Sequence, residues 1–509
     1  MSNASSPPRR TVAPPGHRWR RAALGTVTAA LAAAPLAAAP ASASPTDGGS
    51  LPAHVIVMER NGAAAGIAEA VRRLGGTVET QLPFIHAAAV VIPADAVPAL
   101  RAVPGVRSVT PDRTLTPTGT SPEAPAAGVD LTTVRAAIDA QGADGGSGVD
   151  VALVDSGITA VPGLAETNVV IGPDFSDDAG DPELADRDAF GHGTHLAGII
   201  AGRDGGTGFA GIAPDARLVS VKVAARDGST SLSQLLAGLD WTVRNRDRGG
   251  LHIRVLNLAF GAEVTGSYRR DPLAAAVERA WEKGITVVTA AGNGGAESDS
   301  LDSPAYDPYV IAVGADDTQG TSDPADDAVA EFSSRGTAER GVDVVAPGVS
   351  IVGLRLPDGL LDQEFPQARV GDEGFRGSGT SQAAAVVTGA VARLLAARPG
   401  LDPDQVKAIL RGTARPLAGA DAARQGRGLI DVATALDMPA DRARQSWPKA
   451  APQGGRALAL AIELAVGDPD SSRWSSSRWS SSRWSSSRWS SSRWSSSRWS
   501  SISWGDTTP

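Results

Sequence analysis

Five short runs of branched apolar residues recur through the middle of the chain, interleaved with segments of helical spacing. That alternation constrains the fold more than any other feature. The runs are 149–154 (VDVALV), 217–223 (RLVSVKV), 253–258 (IRVLNL), 285–290 (ITVVTA) and 309–313 (YVIAV), and the helical segments are 194–202, 231–244, 271–283, 381–397 and 403–412. Strands that are apolar on both faces must be covered on both, and connections long enough to hold a helix join parallel neighbours. The expected fold class is therefore α/β, a parallel β-sheet sandwiched by helices. The helix from 381 is expected to stop at Pro399-Gly400, and Asp402-Pro403 reads as an N-cap followed by a first-turn proline.

Upstream, a smaller pattern precedes this body. Residues 53–58 (AHVIVM) read as a strand and 63–74 as a helix with Ile67, Val71 and Leu74 on one face. Strands fit 77–80 and 87–92, a second short helix fits 94–101, and a last strand fits 106–110. The order β-α-β-β-α-β is that of a small α+β ferredoxin-like domain. A linker rich in Pro, Thr and Gly follows from about 113 to 128. After about 438 the periodicity fades, with 456–466 as one last strand or helix. From Arg473 an Arg-Trp-Ser-Ser-Ser repeat runs to Trp499, with a variant ending at Trp504. Its period of five gives neither a helix nor a strand a single apolar face, so this tail is expected to be disordered.

Charge narrows the partners. The net charge is −9 over 509 residues, but residues 1–43 and 471–509 each carry +5, which leaves −19 on the body between them. An acidic body argues against nucleic acid as its target. There is no Cys, so no disulfide stabilises the chain. Arg18, Arg20 and Arg21 precede an apolar stretch, Ala22 to Ala39, and a small-residue site, Ala41-Ser42-Ala43. This is the layout of an export signal; Pro35 and Pro40 weaken the rival reading as a membrane anchor.

Three segments carry candidate chemistry. In VALVDSGI (151–158) an apolar strand ends in Asp155, at the carboxyl end where parallel sheets place ligands; alone it could be a turn cap. In DAFGHGTHLAGII (188–200) His192 lies between glycines at a helix start. His195, three residues on, could make a metal pair with it. With no Cys and no His-Glu-x-x-His pattern, His195 reads instead as a core histidine. In RGSGTSQAAAV (376–386) Ser381 opens a helix and could be no more than its cap. A serine becomes a nucleophile only when a His takes its proton and an acid orients that His. Asp155, His192 and Ser381 supply these three groups in one of the known chain orders for such a triad.

These motifs resemble those of the subtilisin-like serine proteases, the subtilases. VALVDSGI, GHGTHLAG and SGTSQAA are similar to the Asp, His and Ser motifs of that family, and VVTAAGNGG (287–295) to its oxyanion motif. The resemblance spans roughly 53–437. It implies a subtilisin-like sheet, Asp155, His192 and Ser381 as the triad, and Asn293 as the oxyanion-hole side chain beside the Ser381 N–H. LNLAFG (256–261) is similar to the strand lining the specificity pocket, where Ala259, Phe260 and Gly261 would pair with substrate backbone. GRGLIDVATAL (426–436) is similar to the segment that closes the catalytic domain. Residues 53–112 are similar to the inhibitory propeptide. The implied organisation is a signal peptide (1–43), an inhibitory propeptide and linker (44–120), a catalytic domain (121–437), an extension (438–470) and the tail (471–509).

Two positions depart from the family pattern. Ala385 stands where a proline is usual four residues after the serine, and Ala259 where a serine is usual. The first is expected to change helix packing, the second substrate preference. The expected protein is a secreted endopeptidase acting on proteins or peptides, inhibited by its own propeptide and needing no cofactor for catalysis. Structural calcium is considered at the acid-rich run 174–188, with no metal ligand assigned. The Arg-Trp tail suits an anionic cell-envelope polymer. The rival class is a catalytically silent binding protein of the cell envelope on the same scaffold.

Overall fold

The protein is described by a computed structural model covering residues 50–439, apart from 61–63, 118–127, 143–144, 165–167, 204–208, 265 and 299. The expected export signal, the extension from 440 and the tail lie outside the described residues.

The N-terminal unit has the expected order: β1 (Pro52–Glu59), α1 (Ala64–Arg73), β2 (Thr77–Leu82), β3 (Ala87–Pro93), α2 (Val97–Arg101) and β4 (Val106–Pro111). Its sheet runs β2-β3-β1-β4 and is antiparallel throughout. The period of two in a strand explains why β1 and β3 are apolar along their length. Val55 and Val57, with Ala88 and Val90, pack against Ile67, Val71 and Leu100 of the unit's own helices. Ile56 and Met58, with Ala87 and Ala89, point the other way and join the core of the large domain.

The next segment differs from the expected linker. It opens as a strand, β5 (Thr114–Pro117). Four residues cannot form a strand alone. This one is held between two distant segments, as described below. A short helix, α3 (Leu131–Ala137), follows.

The large domain contains β6 (Asp150–Asp155), β7 (Val169–Asp174), α4 (His192–Ala201), β8 (Arg217–Lys222), β9 (Thr230–Ser231), α5 (Leu232–Asn245), β10 (Ile253–Leu258), β11 (Phe260–Gly261), α6 (Pro272–Glu282), β12 (Thr286–Ala290), β13 (Ile311–Asp317), β14 (Ala328–Val329) and β15 (Val344–Pro347). Its eight-stranded sheet runs β14-β13-β12-β10-β6-β8-β7, with β15 also paired to β13. Every pairing is parallel except the short β13–β14 hairpin. The chain ends, as described, with α7 (Leu360–Glu364), α8 (Thr380–Ala397), α9 (Pro403–Thr413) and two shorter helices. Helices α4 and α8 pack on each other, as do α5 and α6, and the two pairs cover the two faces of the sheet.

Helix starts follow from local side chains. Asp402 and Gln405 form a reciprocal capping box ahead of Pro403, and Ser231 and Gln234 do the same for α5. Asp112, from the N-terminal unit, also accepts the Ser233 N–H at 2.9 Å. Two units far apart in sequence thus share one helix terminus.

Candidate active site

Asp155 ends β6 and is fully buried. Its Oδ1 accepts the Ser156 N–H at 2.8 Å and lies 2.8 Å from His192 Nδ1. His192 is the first residue of α4, with a backbone turn made by Gly191 at φ +113°, where a side chain would be strained. The turn is fixed by Asp188, which sequence reasoning passed over. Its carboxylate accepts the N–H groups of Phe190, Gly191 and Thr194 at 3.1, 2.8 and 2.8 Å. It also accepts the Ser156 hydroxyl at 2.9 Å, and the Ser156 oxygen in turn accepts the Gly193 N–H at 3.0 Å. Ser156 and Asp188 therefore tie the end of β6 to the start of α4. Burial pushes the Asp188 pKa up, against those hydrogen bonds. The only sequence signal was an acid four residues before His192.

With Nδ1 held by Asp155, His192 presents Nε2, which is buried and has no hydrogen-bond partner among the described residues. Ser381 enters from the first turn of α8 and is fully buried. Its Oγ donates to the Ala259 carbonyl at 3.5 Å. In the sheet Leu258 stands beside Val154, so Ala259 is the neighbour, one strand over, of Asp155. The serine hydroxyl thus rests one strand over from Asp155. At Ala385 α8 continues unbroken, and this side chain is fully buried in the core.

Asn293 follows β12. Its Oδ1 accepts both the Thr380 N–H and the Thr380 hydroxyl at 3.0 Å. A backbone N–H can only donate, so the amide oxygen must face Thr380 and the Nδ2 must face away. That Nδ2 is buried, with no partner among the described residues.

Ala259, Phe260 and Gly261 lie on the edge where β5 adds a strand. Pro117 stands opposite Phe260, and Thr116 opposite Gly261, in antiparallel register. On its other side β5 pairs with β9, Thr114 opposite Ser231. The segment after the N-terminal unit is therefore the middle strand of a three-stranded sheet. It lies on the edge expected to take substrate backbone.

The two histidines of the His motif separate. His195 is fully buried and meets the Phe375 ring edge-on, 6.5 Å between centroids. Burial, and then the neighbouring His192, push its pKa down to about 3, so it is a neutral core residue. The acid-rich run does not fit a calcium ion. The Lys222 ammonium donates to Asp178 at 2.9 Å and to the Leu184 carbonyl at 2.7 Å, and lies 3.5 Å from Asp174. A protein cation already occupies the centre of those carboxylates.

A buried Asp–His pair at the carboxyl end of a parallel strand, a serine at a helix N-terminus and an unpartnered amide donor make up the set of groups expected of a serine-nucleophile hydrolase. The comparisons identify the family. The model described as "Subtilase family" matches residues 146–433, more than half of the chain, and one described as "Putative peptidase inhibitor domain" matches 24–112. Serine protease AprX of Bacillus subtilis is 37% identical over 295 residues, covering 56% of this chain and 66% of that relative, just short of two thirds of its length. Subtilisin DY of Bacillus licheniformis is 34% identical over 300 residues, 58% of this chain and 94% of that relative. Among solved structures, fervidolysin from Fervidobacterium pennivorans, a keratinolytic enzyme related to subtilisin, aligns with a TM-score of 0.58 at 26% identity, over 78% of this chain and 62% of that one. The chain belongs to the subtilase family of serine-type peptidases, and it carries an inhibitor-type domain ahead of the catalytic one.

Proposed function

We propose that the chain is a secreted serine endopeptidase that cleaves proteins or peptides through an acyl-enzyme. His192 Nε2 takes the proton of Ser381 as its oxygen attacks the peptide carbonyl. Asp155 fixes the tautomer of His192 and steadies its positive charge. Asn293 Nδ2 and the Ser381 N–H hold the oxyanion. His192 then protonates the leaving amine, and water releases the acyl group by the same route. The observation that carries this reading is the buried 2.8 Å Asp155–His192 contact with the opposite ring nitrogen unpartnered among the described residues. The relatives do not favour the catalytically silent alternative.

In the same reading residues 44–120 fold with the catalytic domain and block its cleft through β5 until the linker is cut. Catalysis needs no cofactor. The Arg-Trp-Ser tail binds an anionic envelope polymer; envelope retention unchanged on deleting 471–509 would refute that part. For the enzyme itself, a fluorophosphonate probe is expected to label secreted wild-type protein at Ser381 and to leave Ser381→Ala unlabelled and inactive on casein. Labelling elsewhere, or casein hydrolysis by Ser381→Ala, would overturn the assignment.

A further inference from the structure

The slot beside the nucleophile holds a carboxylate that the catalytic mechanism does not use. Asp302 lies directly against Gly292, the residue before Asn293: a Cβ at Gly292 would meet Asp302 Oδ2 at 2.5 Å and Oδ1 at 2.9 Å. Gly292 has φ +105°, so the backbone there is one that glycine alone adopts readily. The backbone of Asp302 is pinned by its N–H to the Ala291 carbonyl at 3.0 Å. The next residue, Ser303, exchanges two backbone hydrogen bonds with Ala262, just past β11, at 2.8 and 3.1 Å. Asp302 therefore bridges the two segments that bound the slot, 259–262 and 291–293. Its carboxylate has no hydrogen bond to any described residue, although burial and the nearby Glu263 push its pKa up to about 7.

The register of β5 tells which part of a substrate would meet this carboxylate. Pro117 is opposite Phe260, so in a substrate strand of the same register the following residue stands opposite Ala259. Ala259 is also where the Ser381 hydroxyl rests. In that register the substrate residue's carbonyl would fall beside Ser381, and its side chain would enter between the two bounding segments that Asp302 bridges. In the present structure the cation nearest these acids comes from the chain itself. Arg113, just before β5, donates to the Glu263 carbonyl at 3.0 Å and opposes the upward shift of Asp302. Departure of β5 removes that guanidinium and leaves Asp302, with the exposed Glu263 as the nearby charge, without it.

We propose that Asp302, assisted by Glu263, makes this peptidase selective for a lysine or arginine side chain on the acyl side of the scissile bond. The proposal rests on the serine peptidase reading above. A carboxylate in a water-poor slot favours a substrate ammonium or guanidinium and leaves an aliphatic side chain facing a desolvated acid.

The test uses mature secreted enzyme and peptide anilides that differ only in the residue before the cleaved bond: Arg, Lys, Ala, Leu and Phe. Enzyme concentration is set by end-point titration with a fluorophosphonate, so misfolded variant is not counted. The wild type is expected to prefer Arg and Lys over Leu and Phe at least tenfold in kcat/KM. In Asp302→Asn the Arg:Ala ratio is expected to fall at least tenfold, in Glu263→Gln by a smaller factor, and in Asp302→Glu to be largely retained. A wild type that prefers Leu or Phe, or an Asp302→Asn variant with the parental Arg:Ala ratio, would overturn the proposal. Absence of fluorophosphonate labelling and of any cleavage would instead sink the serine peptidase reading.

Discussion

Replacing Asn293 by leucine tests the site most sharply, because both ends of the amide are accounted for. Its oxygen end holds Thr380 through two hydrogen bonds of 3.0 Å, and its nitrogen end, unpartnered among the described residues, is the proposed oxyanion donor. Leucine removes both functions. Stranding the Thr380 N–H costs about 1–3 kcal/mol of stability. Loss of the donor raises the barrier by about 2.7–4 kcal/mol, or 10²–10³ in kcat, the range measured when the equivalent donor was removed from a subtilisin. Aspartate separates the two effects. It keeps an acceptor for Thr380 but turns a negative oxygen toward the oxyanion. Asn293→Asp is expected to unfold at nearly the parental temperature, yet to lose at least as much turnover as Asn293→Leu. Turnover is read as kcat on a chromogenic peptide per titrated site, and stability by thermal unfolding in a Ser381→Ala background. The reasoning fails if Asn293→Leu stays within tenfold of the parent, or if Asn293→Asp loses its activity only by unfolding.

Lys222→Met leaves Asp174 and Asp178 buried around an apolar tip and is expected to cost about 3–5 kcal/mol, measured by urea unfolding. Asp343 is fully buried among Arg340, Lys407 and Arg411; burial alone would raise its pKa, but the three cations outweigh it and hold the group below the usual carboxylate range. Its folded pKa is thus depressed, so its contribution to stability is present above about pH 4 and is lost as pH falls below that value. Asp343→Asn is expected to flatten this acid limb in urea midpoints taken against pH. Above its pKa near 7, Asp302 is ionised, with Glu263 and (before maturation) Arg113 as the charges beside it. Loss of Arg113 on maturation moves that pKa further up, so the ratio of kcat/KM on Arg to that on Ala substrates is expected to rise as pH increases above 7 in the wild type and to stay level in Asp302→Asn.

Strands buried on both faces were legible because each one announces itself. β6, β8, β10, β12 and β13 all lie within about two residues of their predicted starts. The edge strand β7 was missed: its residues are mostly half-buried, and Gly172 and Pro173 interrupt it. β5 could not be read locally, since TLTP is a strand only because residues 230–231 and 260–261 meet it from both sides. The acid-rich run failed as a calcium reading for a related reason. Acids in sequence say that a cation is needed, not which one, and Lys222 arrives from a strand more than thirty residues further on.

The catalytic candidates were legible by family resemblance and only weakly by physics, and the structure explains the difference. Taken one at a time, Asp155 and Ser381 each had an ordinary reading as a cap, and His192 one as half of a metal-binding pair. What weighs against those readings is a set of contacts between motifs. Ser156 and Asp188 join the Asp and His segments. Thr380 donates to Asn293 while its hydroxyl accepts the Gly292 N–H at 3.2 Å. The threonine of the Ser motif therefore orients the amide of the oxyanion motif, and the aspartate of the His motif seats the serine of the Asp motif. Such cross-links depend on separations of 32 and 87 residues that no local pattern encodes. They also predict coupling: Thr380→Val and Asn293→Asp, each of which disturbs one amide, should be less than additive in kcat when combined, because the second change acts on a donor the first has already misdirected.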